Sequence, residues 1–288
     1  MVEIGLVFSR RAVEKEHSMR ITGFSCSKTS LAGAKQGKRG HTNGCRLTAS
    51  LLGAALLTLA MAPVVYAVPK RIIILRHGEK QVNTDQCTYG SYALCSIGQQ
   101  RSLALQLNYL GKGAANSLFP RNGKPAAIFA VTLHCLELAG PTALSWGIPM
   151  QLYSVTPLDG ETNNEELLQL NERTREAAKS ILHDPRWNGK TLIVFWEHDH
   201  IANTILNNDN ATLYTLLNLD KLPNTPNEWN GDNYDYFWIV DYGNASWGST
   251  FPTKLTIKKQ VFLPPYDTLP TNDWGIPEGL PETCGCVQ

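Results

Sequence analysis

Arg71-Ile72-Ile73-Ile74-Leu75-Arg76-His77-Gly78-Glu79 sets a short apolar, β-branched run directly before a cluster of ionisable groups. A continuous run, rather than an alternating one, suits a strand covered on both faces, as in a parallel sheet. The arrangement recurs: Thr191-Leu192-Ile193-Val194-Phe195-Trp196 leads into Glu197-His198-Asp199-His200. In an open α/β sheet, functional groups gather at the carboxyl ends of the strands. Two parallel strands ending in this way would bring His77 and His198 to one rim.

The rest of the chain supplies a frame for these strands. Residues 126–131 (AAIFAV) and 236–241 (YFWIVD) read as further buried strands, and 254–262 alternates like a solvent-facing edge strand. A helix is expected from Ser96, with Gln99 as capping-box partner, Leu103, Leu107 and Leu110 on its buried face, and Gly111 as its stop. Residues 136–146 read as a helix broken or bent near Gly140-Pro141. The clearest helical pattern is 165–182, where Leu167, Leu170, Thr174, Ala178 and Ile181 share a stripe and His183-Asp184-Pro185 ends it. The order β-α-β-α-α-β-α-β-β predicts an α/β fold, a three-layer α/β/α sandwich around a mostly parallel sheet. The Pro-rich tail from Pro264 reads as an extended wrap or a loose end.

Composition narrows the function classes. The chain has 288 residues, 43% hydrophobic and 18% charged, which is ordinary for a globular protein with one sizeable core. Its net charge of +1 hides an asymmetry. Residues 1–67 carry nine Lys/Arg and three Asp/Glu, whereas 68–288 carry 17 and 22. A mildly acidic domain is unsuited to gripping a nucleic-acid backbone non-specifically, so no nucleic-acid partner is expected, and any phosphate must be held by a local pocket.

The basic excess belongs to a targeting segment. Residues 47–62 (LTASLLGAALLTLAMA) are apolar and uncharged, and Val65-Tyr66-Ala67 offers a small-x-small cleavage site. The run is short for a membrane span, so cleavage after Ala67 and no stable membrane insertion are expected, with a periplasmic or secreted product. Residues 1–46 are expected to be a disordered basic leader, with Met19 as an alternative start. The mature domain would be 68–288. Of seven cysteines, Cys26 and Cys45 would leave with the leader. Cys87 could bridge to Cys95 in an oxidising compartment, and Cys284 and Cys286 could pair with Cys135, with each other, or not at all.

The strand-end residues fit phosphoryl chemistry. Imidazole is a competent nucleophile toward phosphorus, and a second imidazole can hold phosphoryl oxygens. Arg76 adds a planar, permanently charged donor, and Gly78 would let the backbone come close to an anion.

Arg76-His77-Gly78-Glu79 resembles the signature of the histidine phosphatase superfamily, which includes phosphoglycerate mutase-like phosphatases and acid phosphatases. Ser96-Ile97-Gly98-Gln99-Gln100-Arg101 is similar to the opening of that family's first helix. Trp196-Glu197-His198, followed by Ile201, resembles the second-histidine segment of a bacterial subgroup, and residues 234–242 resemble the strand after it. The match runs in order over roughly residues 70–242. It implies the histidine phosphatase (phosphoglycerate mutase-like) fold and hydrolysis of a small phosphomonoester through a phosphohistidine at His77. Arg76 and His198 would bind the phosphoryl group, without metal or cofactor.

One segment departs from the family pattern. Where the family carries a further phosphate-binding arginine, alignment through Pro141 and Gly147 places His134, with Leu138 at a threonine position. His134 is read as a weaker, titratable anion binder, or else as the mark of a catalytically weak phosphate-binding protein. A phosphoglycerate mutase-like phosphotransferase is a further alternative. The general acid is Asp199 or Glu161, with Asp199 preferred because it directly follows His198. Glu197 is expected to point away from the pocket. His198 and His200 could form a metal pair, but His200 reads better as the start of a helix.

Overall fold

The computed structural model describes residues 68–80, 93–155, 163–243 and 250–275. Four parallel strands form most of one sheet: β1 (Arg71–Arg76), β2 (Ala127–Ala130), β3 (Met150–Leu152) and β4 (Thr191–Trp196). Two antiparallel strands, β5 (Tyr236–Tyr242) and β6 (Pro252–Lys259), extend it beyond β1, giving the order β3-β2-β4-β1-β5-β6. The expected α/β class and mostly parallel sheet are met. β3 was not expected; at three half-exposed residues it is too short to leave a sequence pattern.

The strand runs are buried because both faces are covered. Ile72, Ile73, Ile74 and Leu75 are almost fully inaccessible, as are Leu192 to Trp196. Burying each large aliphatic is worth about 1.5–3 kcal/mol against leaving it exposed. The cover comes from α1 (Ser96–Leu105), α2 (Leu133–Trp146) and α3 (Asn163–His183). The crossovers β1-α1-β2 and β2-α2-β3 run one way across the sheet, and β3-α3-β4 runs back. Right-handed crossovers therefore put α1 and α2 on one face and α3 on the other. Ser102 Oγ donates to the Leu138 carbonyl (2.9 Å), tying α1 to α2, and Trp196 Nε1 donates to Thr174 Oγ1 (3.0 Å), tying β4 to α3. Three short helices follow β4: α4 (His198–Ile201), α5 (Thr204–Asn208) and α6 (Leu213–Leu216).

Several local expectations are corrected. In α1 the buried residues are Gly98, Arg101, Ser102, Ala104 and Leu105, whereas Leu103 and Leu107 are exposed by 44% and 49%. Small residues and an ion-paired arginine face inward there because α1 lies close on the backbone that follows His77. No capping box forms: Cys95 is the N-cap, and Gln99 Nε2 donates to the Leu94 carbonyl instead. The helix runs on as a wider turn (Gln106–Leu110) until extended Gly111 stops it. α2 is continuous through Pro141 and begins at Leu133, three residues earlier than expected, which puts His134 in its first turn. On α3, Leu170, Thr174, Ala178 and Ile181 are buried as expected, but Leu167 is 38% exposed.

Beyond β6 the chain wraps the core. Leu269 and Asn272 are buried, and the Asn272 amide nitrogen donates to Asp235 Oδ2 (3.1 Å). Cys95 is disulfide-bonded, and Cys135 is a buried free thiol, which removes its pairing with the tail cysteines. The leader 1–46, the apolar run 47–62, the cleavage site at Ala67, Cys87, Glu161, Cys284 and Cys286 all lie outside the described residues. Among the described residues, no helix is long and apolar enough to cross a membrane.

Candidate active site

The carboxyl ends of three neighbouring parallel strands meet at one place. β1 ends in Arg76 and His77, β4 runs into Glu197 and His198, and β2 leads through Thr132 into His134 at the start of α2. Arg76 pairs with Trp196 in the sheet, and the His77 amide donates to the Trp196 carbonyl (3.0 Å), so the two strand ends are in register. The His77 ring lies 4.2 Å from that of His134 and 6.0 Å from that of His198, centroid to centroid. The sequence-predicted residues Arg76, His77, His134 and His198 are thus brought together.

His77 is fully buried. Its Nδ1–H donates to the Gly78 carbonyl (2.7 Å), which fixes the tautomer and leaves a lone pair on Nε2. Burial, then the neighbouring His134 and Arg76, push its pKa well below the ordinary histidine value. The ring is therefore neutral and nucleophilic at ordinary pH. Arg76 Nη2 donates toward His77 Nε2 (3.3 Å), and Nη1 donates to the Gly231 carbonyl. The same guanidinium lies over the Tyr234 ring, 3.7 Å from its centroid, in a cation–π contact. Tyr234 and Gly231 were not singled out as site residues in the sequence. They sit in the loop before β5, far from Arg76 along the chain, and only the antiparallel pairing of β5 on β1 brings them near.

Glu197 turns inward, against expectation. One carboxylate oxygen lies 2.5 Å from His198 Nδ1, and the other accepts from the His200 backbone amide (3.2 Å) and from His200 Nδ1 (3.1 Å). Burial opposes its charge, but the bonds from His198 and His200 outweigh it and hold the carboxyl well below the usual range. His200 is buried, with Nε2 on Asn171 Oδ1 (2.9 Å) of α3, so both its ring nitrogens are engaged away from His77. A His198–His200 metal pair is therefore not formed.

Asp199 is on the rim. Its carboxylate is 46% exposed, lies 3.6 Å from His198 Nε2 and accepts from Asn203 Nδ2 (2.9 Å). A group there can reach a leaving group entering past His198, itself 22% exposed.

Gly78 is closely packed. A Cβ on it would lie 3.2 Å from Leu138 Cδ1 and from Leu94 Cδ2. Glu79 is buried under α1, where Arg101 grips it with Nε and Nη2 at 2.6–3.1 Å. The Glu of the Arg-His-Gly-Glu run is thus a structural anchor for the loop after His77.

Among the described residues, His77, Glu197 and His198 offer ligand atoms within 4.8 Å of one another. The permanent charge of Arg76 beside His77 Nε2 opposes a cation there, and both Glu197 oxygens are engaged by imidazoles. The constellation suits an anion better.

No protein-family model matches the sequence, and no curated protein sequence matches it. Solved structures with a related outline include a mycobacterial glucosyl-3-phosphoglycerate phosphatase, at 16% identity, covering 66% of this chain and 99% of that one, with a TM-score of 0.37. Mycobacterial hydrolase 2 is 13% identical over 71% of this chain and 95% of its own, with a TM-score of 0.38. A protein from Agrobacterium tumefaciens, provisionally described as the phosphohistidine phosphatase SixA, is 13% identical over 68% and 99%, with a TM-score of 0.30. No residue role transfers from likenesses this distant.

Proposed function

We propose that this chain is an exported phosphomonoesterase of the histidine phosphatase superfamily, acting on small phosphorylated substrates through a phosphohistidine at His77. The observation that carries the reading is the state of His77. Its Nδ1 is committed to the Gly78 carbonyl, while Nε2 keeps a lone pair at a site where Arg76, His134 and His198 converge. Export rests on the apolar run and Val65-Tyr66-Ala67.

In the first step Nε2 of His77 attacks phosphorus, displacing Arg76 Nη2 from its lone pair. The N–P bond forms as the ester P–O bond breaks, and the leaving oxygen takes a proton from a carboxylic acid, assigned to Asp199 or Glu161. Arg76 and His198 neutralise the charge on the phosphoryl oxygens, with His134 placed beside them. In the second step water attacks phosphorus, the carboxylate takes back a proton, the N–P bond breaks and inorganic phosphate leaves.

The test is turnover of a panel of phosphomonoesters by wild type and His77→Ala, with trapping of the phosphoenzyme. Wild-type turnover, an acid-labile and base-stable label, and loss of both in His77→Ala are expected, with no loss on exhaustive chelation. Full activity in His77→Ala would remove His77 from the chemistry. Phosphate binding without turnover would make the chain a binding protein instead.

A further inference from the structure

The loop before β5 holds the arginine that would meet a phosphate, and the C-terminal wrap holds that loop. Arg76 Nη2 points at His77 Nε2 (3.3 Å), Nη1 donates to the Gly231 carbonyl, and the guanidinium face lies 3.7 Å from the centroid of the Tyr234 ring. Its Nε is buried without a hydrogen-bond partner. The contact with His77 is lost once phosphorus occupies Nε2. The orientation of Arg76 then depends on Gly231 and Tyr234. The ring sets the plane of the guanidinium, and the carbonyl sets its rotation in that plane.

Residues 230–235 belong to no helix or strand, so side chains must give this loop its shape. Asn230 Oδ1 accepts from the Asp232 amide (2.8 Å). Asn233 and Asn272 are both buried and meet as an amide pair. Asn233 Nδ2 donates to Asn272 Oδ1 (2.8 Å), and Asn272 Nδ2 donates to the Asp232 carbonyl (2.8 Å). An amide offers a donor and an acceptor on opposite corners of one short side chain, and position 272 uses both on the loop. The main chain of Asn272 is tied separately: its amide donates to Asp235 Oδ2 (3.1 Å), and its carbonyl accepts from Tyr236 Oη (3.0 Å). Loss of the Asn272 side chain therefore slackens the loop without releasing the wrap.

We infer that Asn272 is a positioning residue for Arg76: by fixing Asp232 and Asn233 it holds the Gly231 carbonyl and the Tyr234 ring where they orient the guanidinium for an anion at His77. The inference rests on the reading of the His77 site as a phosphate site. An unrestrained arginine must be immobilised when it grips phosphate, which weakens binding, whereas a guanidinium already held in plane is immobilised during folding.

The experiment compares wild type, Asn272→Ala, Arg76→Lys and the double variant. It measures calorimetric binding of inorganic phosphate at one fixed pH and the proton–nitrogen spectrum of the Arg76 side chain. The Arg76 Nε–H resonance, assigned by its loss in Arg76→Lys, is expected upfield of an exposed arginine in wild type, because the Tyr234 ring lies against it. It should return toward the exposed position in Asn272→Ala. Phosphate affinity should fall about three- to tenfold, the cost of immobilising one long side chain on binding. Lysine carries a point charge with no plane to orient, so in the Arg76→Lys background Asn272→Ala should cost under about twofold. An equal loss in both backgrounds, an unmoved resonance, or unchanged affinity in Asn272→Ala overturns the inference. Should Asn272→Ala fail to fold, wild type and Tyr234→Leu decide. Slow exchange of the Asn272 side-chain amide protons in wild type is expected, with a displaced Arg76 resonance and weaker phosphate binding in Tyr234→Leu; failure of any of these overturns the inference. Wild type that binds phosphate in this Asn272-dependent way but hydrolyses no ester keeps the inference and removes the phosphatase reading. Wild type that binds no phosphate overturns both.

Discussion

Arg101 clamps Glu79 with two arms inside the protein, Nη2 at 2.6 Å from Oε1 and Nε at 3.0–3.1 Å from both oxygens, two residues beyond His77. Nη2 also donates to the Pro270 carbonyl (2.7 Å), so the C-terminal wrap and the loop carrying His77 share one anchor. Both side chains are essentially inaccessible. Removing one partner of a buried pair strands the other charge and costs about 3–5 kcal/mol, whereas replacing both with apolar residues is often near neutral. Arg101→Met should therefore lose about that much in urea unfolding, and the double variant Glu79→Leu with Arg101→Met should recover most of it. A loss under about 1 kcal/mol in Arg101→Met would mean that the pair is not what holds the loop.

Two glycines separate a constraint from an ordinary helix position. A Cβ on Gly98 would lie 2.4 Å from the Glu79 carbonyl oxygen, a backbone atom that cannot step aside without moving the His77 loop. Gly98→Ala should destabilise by about 1–3 kcal/mol through overpacking and lower kcat as the loop shifts. Gly140, inside α2, meets nothing within 4 Å, so Gly140→Ala should stabilise by about 0.5–1 kcal/mol with kinetics unchanged. Thermal melts and kinetics on the two variants check both halves. Equal effects would mean that α1 does not press on the loop.

Acid should weaken the fold in two stages. His77 titrates well below 6.5 when folded, so the unfolded chain binds the extra proton first. The stability this linkage contributes is full above about pH 6.5 and is lost as pH falls toward the folded value. Glu197, held below 4.5, acts in the same direction at lower pH. Its contribution is present above about 4.5 and lost as the carboxylate is protonated. Urea midpoints should therefore fall from pH 7.5 to 5.5 in wild type and fall less in His77→Gln. Identical slopes in the two proteins would exclude His77 as the source.

The parts of this arrangement visible in the sequence are those with local causes. RIIIL and TLIVFW announce buried strands because covering both faces demands uninterrupted apolar residues, and strand ends place His77 and His198 where ligands bind. The contact of His134 with His77 followed from alignment alone. The inward turn of Glu197 did not follow, since it depends on His200 and Asn171 lying on two helices that the chain pattern cannot bring together. Tyr234 over Arg76 is equally hidden, because the pairing of β5 with β1 joins segments far apart in the chain. The inner face of α1 misled the pattern: close approach to the Glu79 backbone selects Gly98 and Ser102 where periodicity favours leucine.

His134 sets the remaining expectation. It stands where an arginine is usual in the family that the sequence resembles, and its ring edge lies against His77. An arginine is charged at any working pH, whereas an ordinary imidazole is charged only below about pH 6.5. If His134 helps to hold the phosphoryl group, its help must fade as pH rises, and a bound dianion blurs that edge by favouring the imidazolium without removing the trend. Wild-type kcat/KM should therefore be highest under mildly acidic conditions. His134→Arg should flatten the decline toward neutral pH, provided that the longer side chain fits the buried space beside His77. His134→Ala should lose activity mainly on the acid side, by about tenfold or more for one charged contact, and so bring the two limbs together. The measurement is kcat/KM from pH 4.5 to 8 on one generic phosphomonoester for the three proteins. Should His134→Ala match wild type at every pH, the imidazole packs against His77 without touching the phosphoryl group, and another residue supplies the missing charge.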